Sequence, residues 1–245
     1  MTQEPSHHPS GPLLVAAALA GIAGFIDAHI YVSVTPVFVA NMSGNLVHLG
    51  VFAGLGDWTG AAGSVLALVA FLAGVVCGVT HHDRRLRLAG QVHADTLLAA
   101  EAVLILMLTA IMVLFDHRFT KDVGLHESFV VIIAAFAMGL QATALRRVGE
   151  IAVATTYGTG AVVRIGEKIA LAARRADRVS RHRRRVTILV LVAVLLSYVG
   201  GAAIAASAGS SPALMLIPGF GLAISALVVR RGGADEYTAD EGATP

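Results

Sequence analysis

Charge is what this sequence is short of. Asp, Glu, Lys and Arg make up 14% of its 245 residues, against about 25% in a soluble domain. Another 56% are hydrophobic, and the mean hydropathy is +0.75. That excludes an ordinary water-soluble globular domain. Cysteine is scarce too: the single Cys77 lies in an apolar run, so no internal disulfide can form. The signatures of catalysis are missing, with no His-Glu-x-x-His pair, no Gly-x-Ser-x-Gly elbow and no nucleotide-binding loop. His81-His82-Asp83 has no second ligand pair at metal-site spacing. The expectation is a protein that is not an enzyme and carries no metal or other cofactor. The opening MTQEPSHHPSGP also lacks the Lys or Arg that a secretory signal places ahead of its apolar stretch. The first apolar run therefore reads as a retained span.

What the chain does have is apolar length. Runs cover residues 13–26, 61–79, 97–115, 129–145, 186–208 and 213–229. A helix of roughly 20 mostly apolar residues crosses about 30 Å of hydrocarbon, and with their flanks these runs reach or approach that length. The chain is read as a multi-pass membrane protein.

One phrase is written twice. SGNLVHLG begins at Ser43 and TGAVVRIG at Thr159; Gly44 and Gly160 lie 116 apart, as do Gly50 and Gly166. Further upstream, GFIDA at Gly24 lies over GLQAT at Gly139, 115 apart. Each half reads as a span, a short Gly-rich segment and two more spans, which predicts an internal repeat.

Basic residues choose among the topologies. HHDRRLR at 81–87, Arg146-Arg147, the seven arginines of 174–185 and Arg230-Arg231 are the basic segments. Were the Gly-rich segments to cross, these would fall on both sides. If those segments dip in and return, there are six crossings and every basic loop is cytoplasmic, as the positive-inside rule requires. Three crossings per half then invert the second half relative to the first. The predicted fold is all-α, with six transmembrane helices plus two re-entrant half-helices in two inverted repeats. Its expected parts are a cytoplasmic tail at 1–11, repeats at 12–115 and 127–231, an extracytoplasmic loop at 116–126, and a disordered acidic cytoplasmic tail at 232–245.

The repeated phrase suggests a site. Pro36 stops the first span. Residues 37–42 then run extended, Ser43 caps a short helix over residues 45–55, and Gly44 lets the backbone turn. The second copy offers Thr155, Thr156 and Thr159 before Gly160, then a helix toward Ala173. Non-helical backbone at membrane depth survives only where protein or water satisfies it. Two opposed half-helix N-termini near the midplane suit a carboxylate, a phosphate or a polar neutral solute. The competing reading is plain packing, since small residues four apart, as at Gly50–Gly54 and Gly74–Gly78, let helices approach closely in lipid.

Among the polar residues in the spans, Asp27 stands out. A carboxylate at the centre of a membrane helix costs about 2.5–3.5 kcal/mol on insertion scales. Its roles are coupling, gating, or bonding the exposed N–H groups of the break. Asn41, Asn45 and Gln141 each donate and accept, which fits a solute or an interhelical bond. Arg164 and Glu167, three apart, either pair or sit at the cytoplasmic interface, and His48 takes the place of Arg164 in the first half; these three are the candidates for gating or an ion pair. Glu101, near the start of its span, is close enough to the interface to snorkel and is assigned no site role. The basic run Arg174, Arg175, Arg178, Arg181, Arg183, Arg184 and Arg185 reads as a loop that sets topology and meets anionic lipid, with no nucleic-acid partner.

GFIDA, VFVANMSGNLVHLG, GLQATALRR and TTYGTGAVVRIGE, spread over residues 12–231, resemble the YoaK-like family of bacterial membrane proteins with a domain of unknown function, DUF1275. Similar proteins read Met-Thr-Gly-Asn at Met42–Asn45, Thr-Gly-Thr at Thr159–Ala161 and Gln-Asn at Gln141–Ala142. The resemblance implies a bacterial inner-membrane protein, loosely suspected as a small-molecule permease; the six-crossing topology places both termini in the cytoplasm. It names no substrate. The expected function is a transporter or channel for a small polar or anionic solute, and the alternative is a non-transporting scaffold or lipid-binding protein acting through the Arg-rich loop. A homo-oligomer is left open.

Overall fold

In the computed structural model, the described residues are 10–89, 94–114, 119, 123–144, 147–148, 151–152, 158–172 and 178–232. They form α1 (Ser10–Ser33), α2 (Met42–Gly54), α3 (Trp58–Ala89), α4 (Ala94–Leu114) and α5 (Leu125–Ala144). There follow two two-residue strands, β1 (Arg147–Val148) and β2 (Ile151–Ala152), then α6 (Gly158–Ala172), α7 (Arg178–Ala208), a 3₁₀ turn (Pro212–Met215) and α8 (Leu216–Gly232). Six helical stretches are long and apolar enough to span: Leu13–Ser33, Trp58–Leu88, Ala94–Leu114, Leu125–Ala144, Arg184–Ala208 and Pro212–Arg231. Every apolar run of the sequence falls on one of these. With 13 and 15 residues, α2 and α6 reach only roughly 20 Å.

The structure refines these expectations in detail. The strands pair antiparallel, Arg147 with Ala152 and Val148 with Ile151, so a scrap of sheet interrupts the all-α pattern. Residues 178–185 belong to α7 instead of a loop; arginine is a good helix former, and the helix simply continues past the apolar stretch. Thr155, Thr156, Arg174, Arg175 and most of both expected tails lie outside the described residues. Glu101 does not snorkel: it is wholly buried, because its side chain lies on the α4 face that carries Leu98, Ala102 and Ile105 into the core.

Helix pairing follows the glycines. α1 packs on α7, α3 on α5, and α4 on α8. A Cβ at Gly24 would overlap the Tyr198 carbonyl of α7, and one at Gly201 would overlap the Gly21 carbonyl. In the second tight pair, a Cβ at Gly74 would overlap the Phe136 carbonyl, and one at Gly139 the Phe71 carbonyl. Lipid tails are as apolar as leucine, so close backbone approach through small residues is what draws such helices together. Gly74–Gly78 therefore acts as the packing stripe its spacing suggests, with Gly78 against Thr143. Gly50–Gly54 does not: nothing lies within 4 Å of either position. Leu19, Ile26, Ile30, Leu98, Ile105, Leu108 and Met138 fill the interior, while Leu14, Val69, Leu72, Leu189 and Leu196 point outward. Helices apolar on all sides belong in a membrane.

Candidate functional site

Between α1 and α2 the chain leaves helical geometry within the buried interior. Val34, Thr35, Val37, Val39 and Ala40 are buried, so each backbone N–H here needs a partner, and the sequence supplies one for each. Val34 and Thr35 donate to the Ile30 carbonyl at 2.9 and 3.0 Å. Pro36 has no N–H to satisfy. Val37 donates to the Thr35 carbonyl at 2.7 Å. Phe38 donates to Asn45 Oδ1 at 3.0 Å, and Asn45 Nδ2 returns a bond to the Phe38 carbonyl at 2.6 Å. Val39 and Ala40 both donate to Asp27 Oδ1, at 2.6 and 2.7 Å.

Asp27 is thus the clasp of the break. Its second oxygen, Oδ2, accepts from the Tyr198 hydroxyl of α7 at 2.5 Å. One carboxyl therefore joins α1, the non-helical segment and a helix from the far half of the chain. Six residues of helix separate Asp27 from the end of α1 at Ser33, a rise of roughly 9 Å. The chain that leaves α1 at Ser33 has come back down by about that distance when it bonds Asp27 through Ala40.

The cap of α2 is Asn41, not the expected Ser43. Asn41 Oδ1 accepts from Gly44 N–H at 3.3 Å and from the Ser43 hydroxyl at 2.8 Å. Asparagine reaches the first-turn N–H directly, and Ser43, one residue inside the helix, donates back to it. Gly44 is required for space: a Cβ there would come within 2.7 Å of the Phe38 ring. That ring stacks on Tyr31 at 4.7 Å and on His48 at 5.5 Å, and Phe52 closes the cluster 5.5 Å from His48. His48 is accordingly a member of an aromatic cluster on the break.

The second copy is more open. Thr159, Gly160, Arg164 and Glu167 are exposed on α6, and Ala161 is buried. α6 rests on α7 as α2 rests on α3, and neither short helix is packed firmly on the other. Gln141 is fully buried and spans between helices, its Nε2 donating to the Leu19 carbonyl of α1 at 3.0 Å. The structure thus brings Asp27, Asn41, Ser43, Gly44, Asn45 and His48 into one assembly around residues 34–41. Gln141 stands apart from it, on the α1–α5 contact.

Sequence reasoning missed Tyr198, whose role depends on a helix 171 residues away. It also missed His29, buried with its ring stacked on Phe25 at 6.2 Å and neither nitrogen bonded among the described residues. A polar residue in an apolar span was the available signal for both.

The family model described as a protein of unknown function, DUF1275, matches residues 15–229. The UPF0700 transmembrane protein YoaK of Bacillus subtilis (strain 168) is 29% identical over 147 residues, which is 60% of this chain and 62% of that relative's length. No solved structure matches the chain.

Proposed function

We infer that this chain, which belongs to the DUF1275 family of membrane proteins, moves a small polar or anionic solute across the membrane as a secondary transporter or channel. One observation carries the reading. A buried non-helical segment lies inside a bundle of spanning helices, and its backbone is held by the side chains of Asp27 and Asn45. Broken backbone at that depth is a feature of solute and ion pathways. A protein that only binds lipid has no need of it.

The descent from Ser33 to the level of Asp27 supports a re-entrant first segment. The pairing of helices supports two inverted repeats: α1 packs on α7, and its counterpart α5 packs on α3, the counterpart of α7. Gly24 and Gly139, which align in the sequence, each make the tight contact of their own pair. In this reading Ser43, Gly44, Thr159 and Gly160 face the pathway, and Asp27 gates it by holding the non-helical segment to α1 and α7. The inner membrane, cytoplasmic termini and anionic lipid at the Arg-rich start of α7 complete the proposal.

Sidedness tests it. With Cys77 replaced by Ser, single cysteines at Asp57 and Ala172 are labelled in intact cells with an impermeant maleimide. Labelling at 57 and not at 172 is expected. Equal labelling at both overturns the opposed pair, and with it the shared site.

A further inference from the structure

Asp27 uses one oxygen on the break and the other on Tyr198, yet a second carboxyl lies in the same bundle with neither oxygen used. Glu101 of α4 is 0% exposed, and among the described residues no donor meets Oε1 or Oε2. α4 packs against α5, α8 and the 3₁₀ turn. Gly219 brings α8 directly against the Ile105–Leu106 stretch of α4, one turn further along.

A second group lies at the same depth. α4 ends at Leu114 and α5 begins at Leu125; both span, so they run in opposite directions. Glu101 lies 13 residues before Leu114 and Gln141 lies 16 residues after Leu125, depths of roughly 20 and 24 Å from that end. Their depths therefore differ by less than one helical turn. Gln141 is also 0% exposed, and its Oε1 is unmet while Nε2 holds the Leu19 carbonyl. Among the described residues, α4 and α5 therefore present three unmet oxygen acceptors and no unmet donor at this level, on helices that also bury Leu98, Ala102, Ile105 and Met138.

Acceptors without donors in apolar surroundings call for a cation. A metal ion would need about six oxygens, and helical carbonyls are committed to their own ladder. A proton needs one carboxyl oxygen and one acceptor. The charged or titratable groups on the packed elements are His126 and Glu127 in the first turn of α5, Arg230 and Arg231 in the last turn of α8, and Asp95 on α4; the 3₁₀ turn has none. Each lies more than one turn from the level of Glu101. On α1, which packs on α5 and α8, Asp27 and His29 lie two turns or more beyond Leu19. Among the described residues of these elements, no positive group lies at that level to hold a carboxylate.

We propose that Glu101 is a proton-binding site, holding its proton in the closed bundle with Gln141 Oε1 as the acceptor and exchanging it with water when the α4–α5–α8 contact opens. The consequence for transport rests on the function proposed above: the coupling proton rides on Glu101, while Asp27 keeps the break.

Infrared spectra of the purified full-length protein at neutral pH test this. The wild type should show a protonated-carboxyl C=O band that shifts in D₂O, is lost in Glu101→Gln and persists in Asp27→Asn. Gln141→Leu should displace the band by removing its acceptor, a change that mere loosening of the fold would not produce. Wild-type protein labelled with ¹³C at glutamate carboxyls asks the same question without a variant: the band must move with the label. Ionised-carboxylate bands in the wild-type-minus-Glu101→Gln difference overturn the proposal. So does thermal stabilisation by sodium chloride over choline chloride that Glu101→Gln abolishes, which would assign the site to a metal cation. None of these readouts needs flux. Flux without the acid band removes only the proton site, and the band without flux removes only the transport reading.

Discussion

After α1, the chain runs through residues 34–41 as largely buried non-helical backbone and relies on side chains, chiefly Asp27 and Asn45, to meet several of its N–H groups. After α5, residues 147–148 and 151–152 meet each other as a short antiparallel pair. The aligned positions carry the difference in composition. Where the first half has Asp27 the second has Ala142, and where the first has Asn45 the second has Ala161. Backbone that finds backbone needs no polar side chain from a span, whereas backbone that does not must take one from a neighbouring helix. Among the described residues, the repeat thus keeps the phrase while part of its second connection is bonded strand to strand.

The sharpest way to break that comparison is to remove the clasp. Asp27→Ala leaves two buried N–H groups and the Tyr198 hydroxyl unmet. At about 1–3 kcal/mol for each stranded group, the loss should be on the order of 4 kcal/mol, read from the unfolding midpoint in detergent. Asp27→Asn keeps an acceptor at Oδ1 and should recover more than half. Ala142→Leu, at the aligned position, should cost under about 1 kcal/mol because no bond depends on it. If it cost as much as Asp27→Ala, the two breaks would share a requirement that their bonding does not suggest.

The next effect is one in which the halves should agree. Gly24→Val and Gly139→Val each drive a side chain into a facing backbone carbonyl. Both should destabilise by about 3 kcal/mol, at the upper end of overpacking costs, and by similar amounts in the same melting experiment. A large disparity would mean that the α1–α7 and α3–α5 contacts are not counterparts. Smaller again is Asn45→Ala, which strands the Phe38 N–H and carbonyl for about 2 kcal/mol. Its effect should be confined to the first break, with faster proteolysis near residues 34–41 and unchanged cleavage near 147–152.

Much of this was legible in the sequence. Apolar length located all six spans, and Pro36 with the following Gly-rich phrase located the break, because both signals act within a few residues. Asp27 was conspicuous for the same reason: a carboxylate amid apolar neighbours must have a partner. The identity of that partner was not legible. Tyr198 arrives from a helix whose register is set by the Gly24–Tyr198 and Gly21–Gly201 contacts, and no local pattern encodes that pairing. Ser43 was mistaken for the cap because Asn41 and Ser43, two residues apart, both favour that position; only the geometry decided that serine donates and asparagine accepts. Glu101 was misjudged because distance from a helix end says nothing about which face a residue occupies.

The smallest expected effect concerns the one glycine pair that packs against nothing. Gly74 and Gly78 touch α5, while Gly50 and Gly54, with the same spacing, lie on the outward face of α2 beside the exposed Leu46, Val47 and Val51. If lipid alone covers that face, Gly50→Ala and Gly54→Ala add a methyl into open space and relieve the entropic cost of glycine in a helix. The protein should then gain up to about 0.5–1 kcal/mol per site. A loss instead, growing from Ala to Val and accompanied by a change in the mass of the detergent-solubilised particle, would mean that the face meets another chain. The comparison would then extend beyond one molecule, with α3 using its glycines inside the bundle and α2 using its own between bundles.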